Sequence, residues 1–111
     1  MSLKEILESA GLPAQRGVFT GKKKPEAYYT FLRLLGTAAV NADDDESDGK
    51  EMYRVTLISK VDFEAQLEKT KEVLKAAGFY INSVDMESYE TETGYWIVPI
   101  TIEYLKEREE Q

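Results

Sequence analysis

The segment from Asp62 to Gly78 constrains this chain more than any other. Phe63, Leu67, Thr70, Leu74 and Ala77 recur at spacings of four, three, four and three. That period places them on one stripe of an α-helix. Glu64, Glu68, Lys71, Glu72 and Lys75 fall on the opposite face. Asp62 is of a type that caps a helix start, and Gly78 of a type that ends one. The spacing predicts a helix over 62–77. A helix with a single apolar stripe needs a single apolar surface to cover it, and the flanking segments supply strands.

Those segments carry the two-residue period of β-structure. In 52–59, Tyr53, Val55 and Leu57 share one face, and Met52, Arg54, Thr56 and Ile58 the other. Phe79 to Tyr89 and Tyr95 to Leu105 read as a hairpin about a turn at 91–94. In its second arm Trp96, Val98, Ile100, Ile102 and Tyr104 form the core face. Pro99 has no N–H for a ladder, so this arm is expected at a sheet edge or bulged. Ala27 to Leu35 carries bulky apolar residues on both faces, the mark of a strand covered on both sides, by a helix on one and by another layer or subunit on the other. Gln15 to Phe19 is a further short strand.

A short helix opens the chain over 2–10. Ser2 followed by Glu5 is a capping box; Leu3, Ile6, Leu7 and Ala10 form its stripe, Gly11 closes it, and Pro13 prevents continuation. The predicted order is α-β-β-β-α-β-β. The fold class is α+β, a single mainly antiparallel sheet with helices on one face. With 111 residues the chain makes one domain, 1–111. The acidic, turn-rich stretch 37–51 reads as a flexible loop and 106–111 as a frayed tail.

Composition removes most chemistry. There is no cysteine and no histidine, so thiolate chemistry, disulfides and the commonest general base and metal ligand are all missing. Fourteen basic residues against twenty-one acidic give a net charge of −7, which disfavours a phosphate backbone as partner. Lys22-Lys23-Lys24, the one basic cluster, has no interleaved aromatics and reads as a solvated loop tip. Asp44, Glu46, Asp48 and Gly49 imitate the first half of a calcium-binding loop, but the position of the bidentate Glu is Val55. The stretch therefore reads as a solvated acidic loop, with no metal and no cofactor assigned. Glu87, Glu90 and Glu92 gather around the hairpin turn, where carboxylates are usually solvated rather than paired across a cleft. No window is long and apolar enough for a membrane span. The opening MSLKEILESAG lacks the apolar core of a signal peptide, and the expectation is a cytosolic chain without catalytic residues.

The aromatics are the more informative set: seven tyrosines, four phenylalanines and one tryptophan. On one reading most are core and cross-strand pairs. On the other the second sheet face is an oligomer interface, for which Tyr28, Tyr29, Phe31, Tyr53, Tyr89 and Tyr95 are the candidates.

The segment Gly11-Leu12-Pro13-Ala14-Gln15-Arg16-Gly17-Val18-Phe19, followed by Pro25, the aromatic strand Tyr28-Tyr29-Thr30-Phe31-Leu32, Asn41-Ala42-Asp43, the strand Tyr53-Arg54-Val55-Thr56-Leu57, the helix and a final hairpin, resembles the small tail-completion (tail terminator, head-tail joining) proteins of long-tailed bacteriophages and prophages of Gram-positive bacteria. The resemblance covers nearly the whole chain and rests on structural residues. It implies a ring-forming, commonly hexameric structural protein that caps the tail tube and meets the head-completion proteins. Its partners would be further copies of itself, the tail-tube protein and those head proteins, with no specific nucleic-acid binding. Its place would be the virion tail, and the host cytoplasm during assembly. An alternative from a different class is a small acidic regulatory module, such as an inhibitor that mimics nucleic acid; the run 43–48 and the net charge motivate it.

Overall fold

A computed structural model describes residues 2–21, 23–36 and 50–105. The expected loop over 37–51 therefore lies outside the described residues except at its last two positions; Lys22 and the tail 106–111 lie outside them too. The elements are α1 (Leu3–Glu8), β1 (Ala14–Arg16), β2 (Ala27–Gly36), β3 (Lys50–Ser59), α2 (Glu64–Ala76), β4 (Tyr80–Val84), β5 (Ser88–Glu90) and β6 (Tyr95–Leu105). The class is α+β, as the periodicities require.

The strands form one sheet in the order β1-β2-β3-β6-β4, with β5 also paired to β6. All pairings are antiparallel except β1 with β2, which is parallel. The register puts Tyr29, Leu57 and Val98 in one row, Phe31, Val55 and Ile100 in the next, and Arg33, Tyr53 and Ile102 in a third. All but Arg33 are buried. Both helices cover this face. Ile6, Leu7 and Ala10 of the first helical segment and Phe63, Leu67 and Leu74 of the second close on it in one core. Each fully buried leucine or isoleucine contributes about 1.5–3 kcal/mol through the apolar surface it removes from water.

The helix ends follow their residues. Ser2 accepts from the Glu5 amide, and the Glu5 carboxylate accepts in return from the Ser2 amide, completing the capping box. Helix α2 starts two residues later than the stripe suggests: Phe63 occupies the cap position, while the Asp62 carboxylate accepts from the Glu64 amide at 3.1 Å. Gly78, at φ +97°, takes the left-handed conformation that ends the helix. The first short strand is also shorter than its pattern, because Gly17 at φ +83° turns the chain away after Arg16.

The strand containing Pro99 is not at an edge. β6 lies between β3 and the short outer strands. Pro99 stands opposite Thr56 on β3, while its carbonyl points to the other side and accepts from the Asp85 amide at 2.8 Å. A residue's N and C=O point to the same side of a strand, so the missing N–H faces outward. There the outer strand is interrupted: β4 ends at Val84 and β5 begins at Ser88. The single long arm expected over 79–89 is therefore two short strands, and no ladder bond is asked of the proline.

Candidate interaction surface

The sheet has a second face, opposite the helices. It is built from Tyr28, Thr30 and Leu32 of β2, Arg54, Thr56 and Ile58 of β3, and Tyr95, Ile97, Pro99 and Thr101 of β6. Its two ends differ. At one end the segment between β1 and β2 folds across it. The Phe19 ring packs on Tyr28 at 4.9 Å, and Tyr28 meets Tyr95 edge-on at 5.7 Å. The Tyr95 hydroxyl donates to the Pro25 carbonyl at 2.7 Å, and the Lys60 ammonium lies 5.0 Å from the ring centre of Tyr95. Burial holds the Tyr28 hydroxyl above its ordinary pKa, with the neighbouring Tyr95 and Glu90 acting in the same direction.

The other end is open. Leu32 is 50% exposed and Leu34 45% exposed. Leu34 sits at a bulge, where the pairing of β2 with β3 shifts between Arg33 and Leu35. β1 pairs only with Tyr29 to Phe31. Beyond Phe31 the outer edge of β2 thus has no strand partner among the described residues, and an unpaired edge beside exposed leucines is a template for association. A polar cluster borders this open end. The Arg54 guanidinium lies 3.4 Å from the Asp85 carboxylate and donates to Thr101 at 3.3 Å; Ser83 and Thr101 both donate to Asp85. Sequence reading did not single out Arg54 or Asp85, because the interruption of the outer strand brings them together.

Five of the six tyrosine and phenylalanine candidates for an interface are enclosed in the protomer. Tyr29, Phe31 and Tyr53 belong to the core under the helices, and Tyr28 and Tyr95 lie beneath the segment carrying Phe19 and Pro25. Their surface is spent on the fold itself, because both faces of the sheet are used at that end. Only Tyr89, 49% exposed and packed at a tilt on Trp96 with ring centres 4.9 Å apart, faces outward. Among the exposed apolar residues, Leu32 lies on the sheet's second face and Leu34 at the bulge beside it.

A cleft of about 990 Å³ opens on the helix side, between α1 and the residues that follow α2. Phe31, Tyr53, Phe79 and Tyr104 line it, together with Arg16 of β1. The Arg16 guanidinium lies over Phe31 at 5.2 Å, and that of Arg33 over Tyr53 at 5.7 Å. The cleft draws on residues from six stretches of the chain, so no local pattern announces it.

The carboxylates Glu87, Glu90 and Glu92 are all exposed on the hairpin, with Glu90 accepting from Thr93 at 2.7 Å. Lys23 and Lys24 are exposed as well. Among the described residues no group of three or more acidic side chains is placed to hold a metal ion. The imitation calcium loop at Asp44, Glu46 and Asp48 lies outside the described residues. Among the described residues no helix is long and apolar enough to cross a membrane. In comparisons with known proteins, no family model matches this chain, and no curated sequence matches it.

Proposed function

We propose that this chain is a structural protein of a bacteriophage or prophage tail, which self-associates into a ring, caps the tail tube and contributes to joining tail and head. The observation that carries the reading is the half-covered sheet. Helices bury one face, and the other ends in Leu32 and Leu34 beside an edge of β2 that no described strand pairs. Such a surface gains free energy when an apolar partner surface covers it. The resemblance of the segment 11–32, the strand at Tyr53 and the final hairpin to tail-completion proteins supports a further copy as that surface, with the tail-tube and head-completion proteins as neighbours. The role is structural rather than enzymatic, with no cofactor, and is exercised in the virion tail after assembly in the host cytoplasm.

Sedimentation velocity over a wide concentration range, with electron microscopy of isolated tail tubes mixed with the protein, tests this. A concentration-dependent ring that caps the tubes is the expected result. A protein that stays monomeric throughout and leaves tube ends bare overturns it.

A further inference from the structure

We propose that the aromatic cleft receives the acidic run Asp43 to Asp48 of a second copy of this chain. The inference rests on the self-assembly reading and names one contact that would build it.

The chain carries a net charge of −7, yet the cleft is flanked by two arginines that no carboxylate neutralises. Among the described residues neither Arg16 nor Arg33 forms an ion pair, and both are exposed. No nearby acidic group among the described residues comes within ion-pair distance of either guanidinium. Glu8 pairs with Lys4 at 2.8 Å, Glu5 accepts from the Ser2 amide, and Glu51 accepts from the Tyr53 hydroxyl at 3.1 Å. Both guanidinium groups rest on rings, Arg16 over Phe31 and Arg33 over Tyr53. A stacked guanidinium keeps its N–H edge for a carboxylate and has already lost part of the freedom that binding would cost. Arg16 on β1 stands in register with Phe31, and Arg33 lies two residues farther along β2, so the two arginine positions are displaced by about 7 Å along the strand direction.

The occupant must therefore bring several carboxylates. Residues 43–48 hold five in six positions: Asp43, Asp44, Asp45, Glu46 and Asp48. In an extended segment alternate side chains repeat at about the same 7 Å, so two of them can meet the two arginines at once. Bidentate arginine–carboxylate pairs are the strong and directional form of this contact. The run lies outside the described residues, and its part here is that of a charged ligand from a neighbouring copy. Each copy offers one cleft and one run, so a head-to-tail contact is heterologous, the kind that forms a ring where its rotation closes and a filament where it does not.

Two full-length variants test it. The first, R16Q/R33Q, keeps the run and loses the cleft's charge. The second, D43N/D44N/D45N/E46Q/D48N, keeps the cleft and loses the run's charge. Circular dichroism checks that both fold. Each alone is expected to self-associate at least tenfold more weakly than the unmodified chain. Mixed, they are expected to form a joint species, in which the side-chain Nε–H resonances of Arg16 and Arg33 in the labelled second variant shift on adding the first. If the unmodified chain self-associates and the variants match it, this contact is wrong while the ring reading stands. Arginine resonances that sense the run in the unmodified chain independently of protein concentration mean that the run binds its own cleft, which overturns docking between copies. A chain that is monomeric at every concentration removes both readings.

Discussion

Tyr29 joins the core to a polar network. Its ring is 0% exposed, and its hydroxyl accepts from the Gln66 side-chain amide at 2.9 Å. Thr70, equally buried, donates its one proton to the Gln66 carbonyl at 2.7 Å. The 2.6 Å contact between the two hydroxyls must therefore be donated by Tyr29. Gln66 donates as well to the Ala10 carbonyl, so the network ties the turn after α1 to α2 and β2. Among the described residues no buried side-chain polar atom lacks a partner. Tyr29→Phe strands the Thr70 oxygen without its donor and should cost about 1–3 kcal/mol in urea unfolding. The double variant Tyr29→Phe, Thr70→Val should cost less than the two single changes added together. The same residue sets an alkaline limit. Burial raises the Tyr29 hydroxyl above its ordinary 10.0, against the lowering effect of Thr70 and Gln66, and burial raises Tyr28 too. A raised pKa means the folded state holds its proton longer than the unfolded one. That stability is complete below pH 10 and declines as pH climbs through the folded values. Urea midpoints measured above pH 10 should fall for the unmodified chain, and less steeply for Tyr29→Phe.

At the scale of elements, α2 owes its place to a stripe written in one continuous stretch. Phe63, Leu67, Thr70 and Leu74 are all buried, as their spacing requires. Leu74→Ala removes a side chain with 0% exposure from the centre of that contact. It should destabilise the chain by about 2–5 kcal/mol, read as a lower urea midpoint at unchanged slope. The helix, the capping box at Ser2 and the turn closed by Gly94 were legible because each depends on residues a few positions apart. The break between β4 and β5 was not. Pro99 signalled a ladder defect, but which neighbour would absorb it depends on strand order, a property of the whole sheet. Nor could the interface tyrosines be sorted from the core tyrosines. Tyr28 and Tyr95 are enclosed only because Phe19 and Pro25, outside any regular element, pass over them. The leucines beyond that cover, and the arginines at the cleft, acquire their meaning from the same tertiary arrangement.

For the molecule as a whole, the sheet's second face divides sealed from available surface, and the division can be tested by charge. Leu32 and Leu34 are half exposed in the protomer, so Leu32→Asp and Leu34→Asp together bury no charge while the chain is alone. Their effect on urea unfolding of the monomer should be small, about 0.5 kcal/mol per site. In an assembly that covers this face the same aspartates would have to lose water without a partner, and self-association should weaken at least tenfold. Met86, 87% exposed in the outer-strand interruption, supplies the control. Met86→Ser removes an apolar side chain more exposed than either leucine, from the outer-strand interruption rather than from β2, and should leave association unchanged. Sedimentation velocity on the three proteins separates the possibilities: loss only with the aspartates places the open end of β2 in the interface. Loss with Met86→Ser alone moves the interface to the hairpin edge, and equal behaviour of all three rules the leucines out as its core.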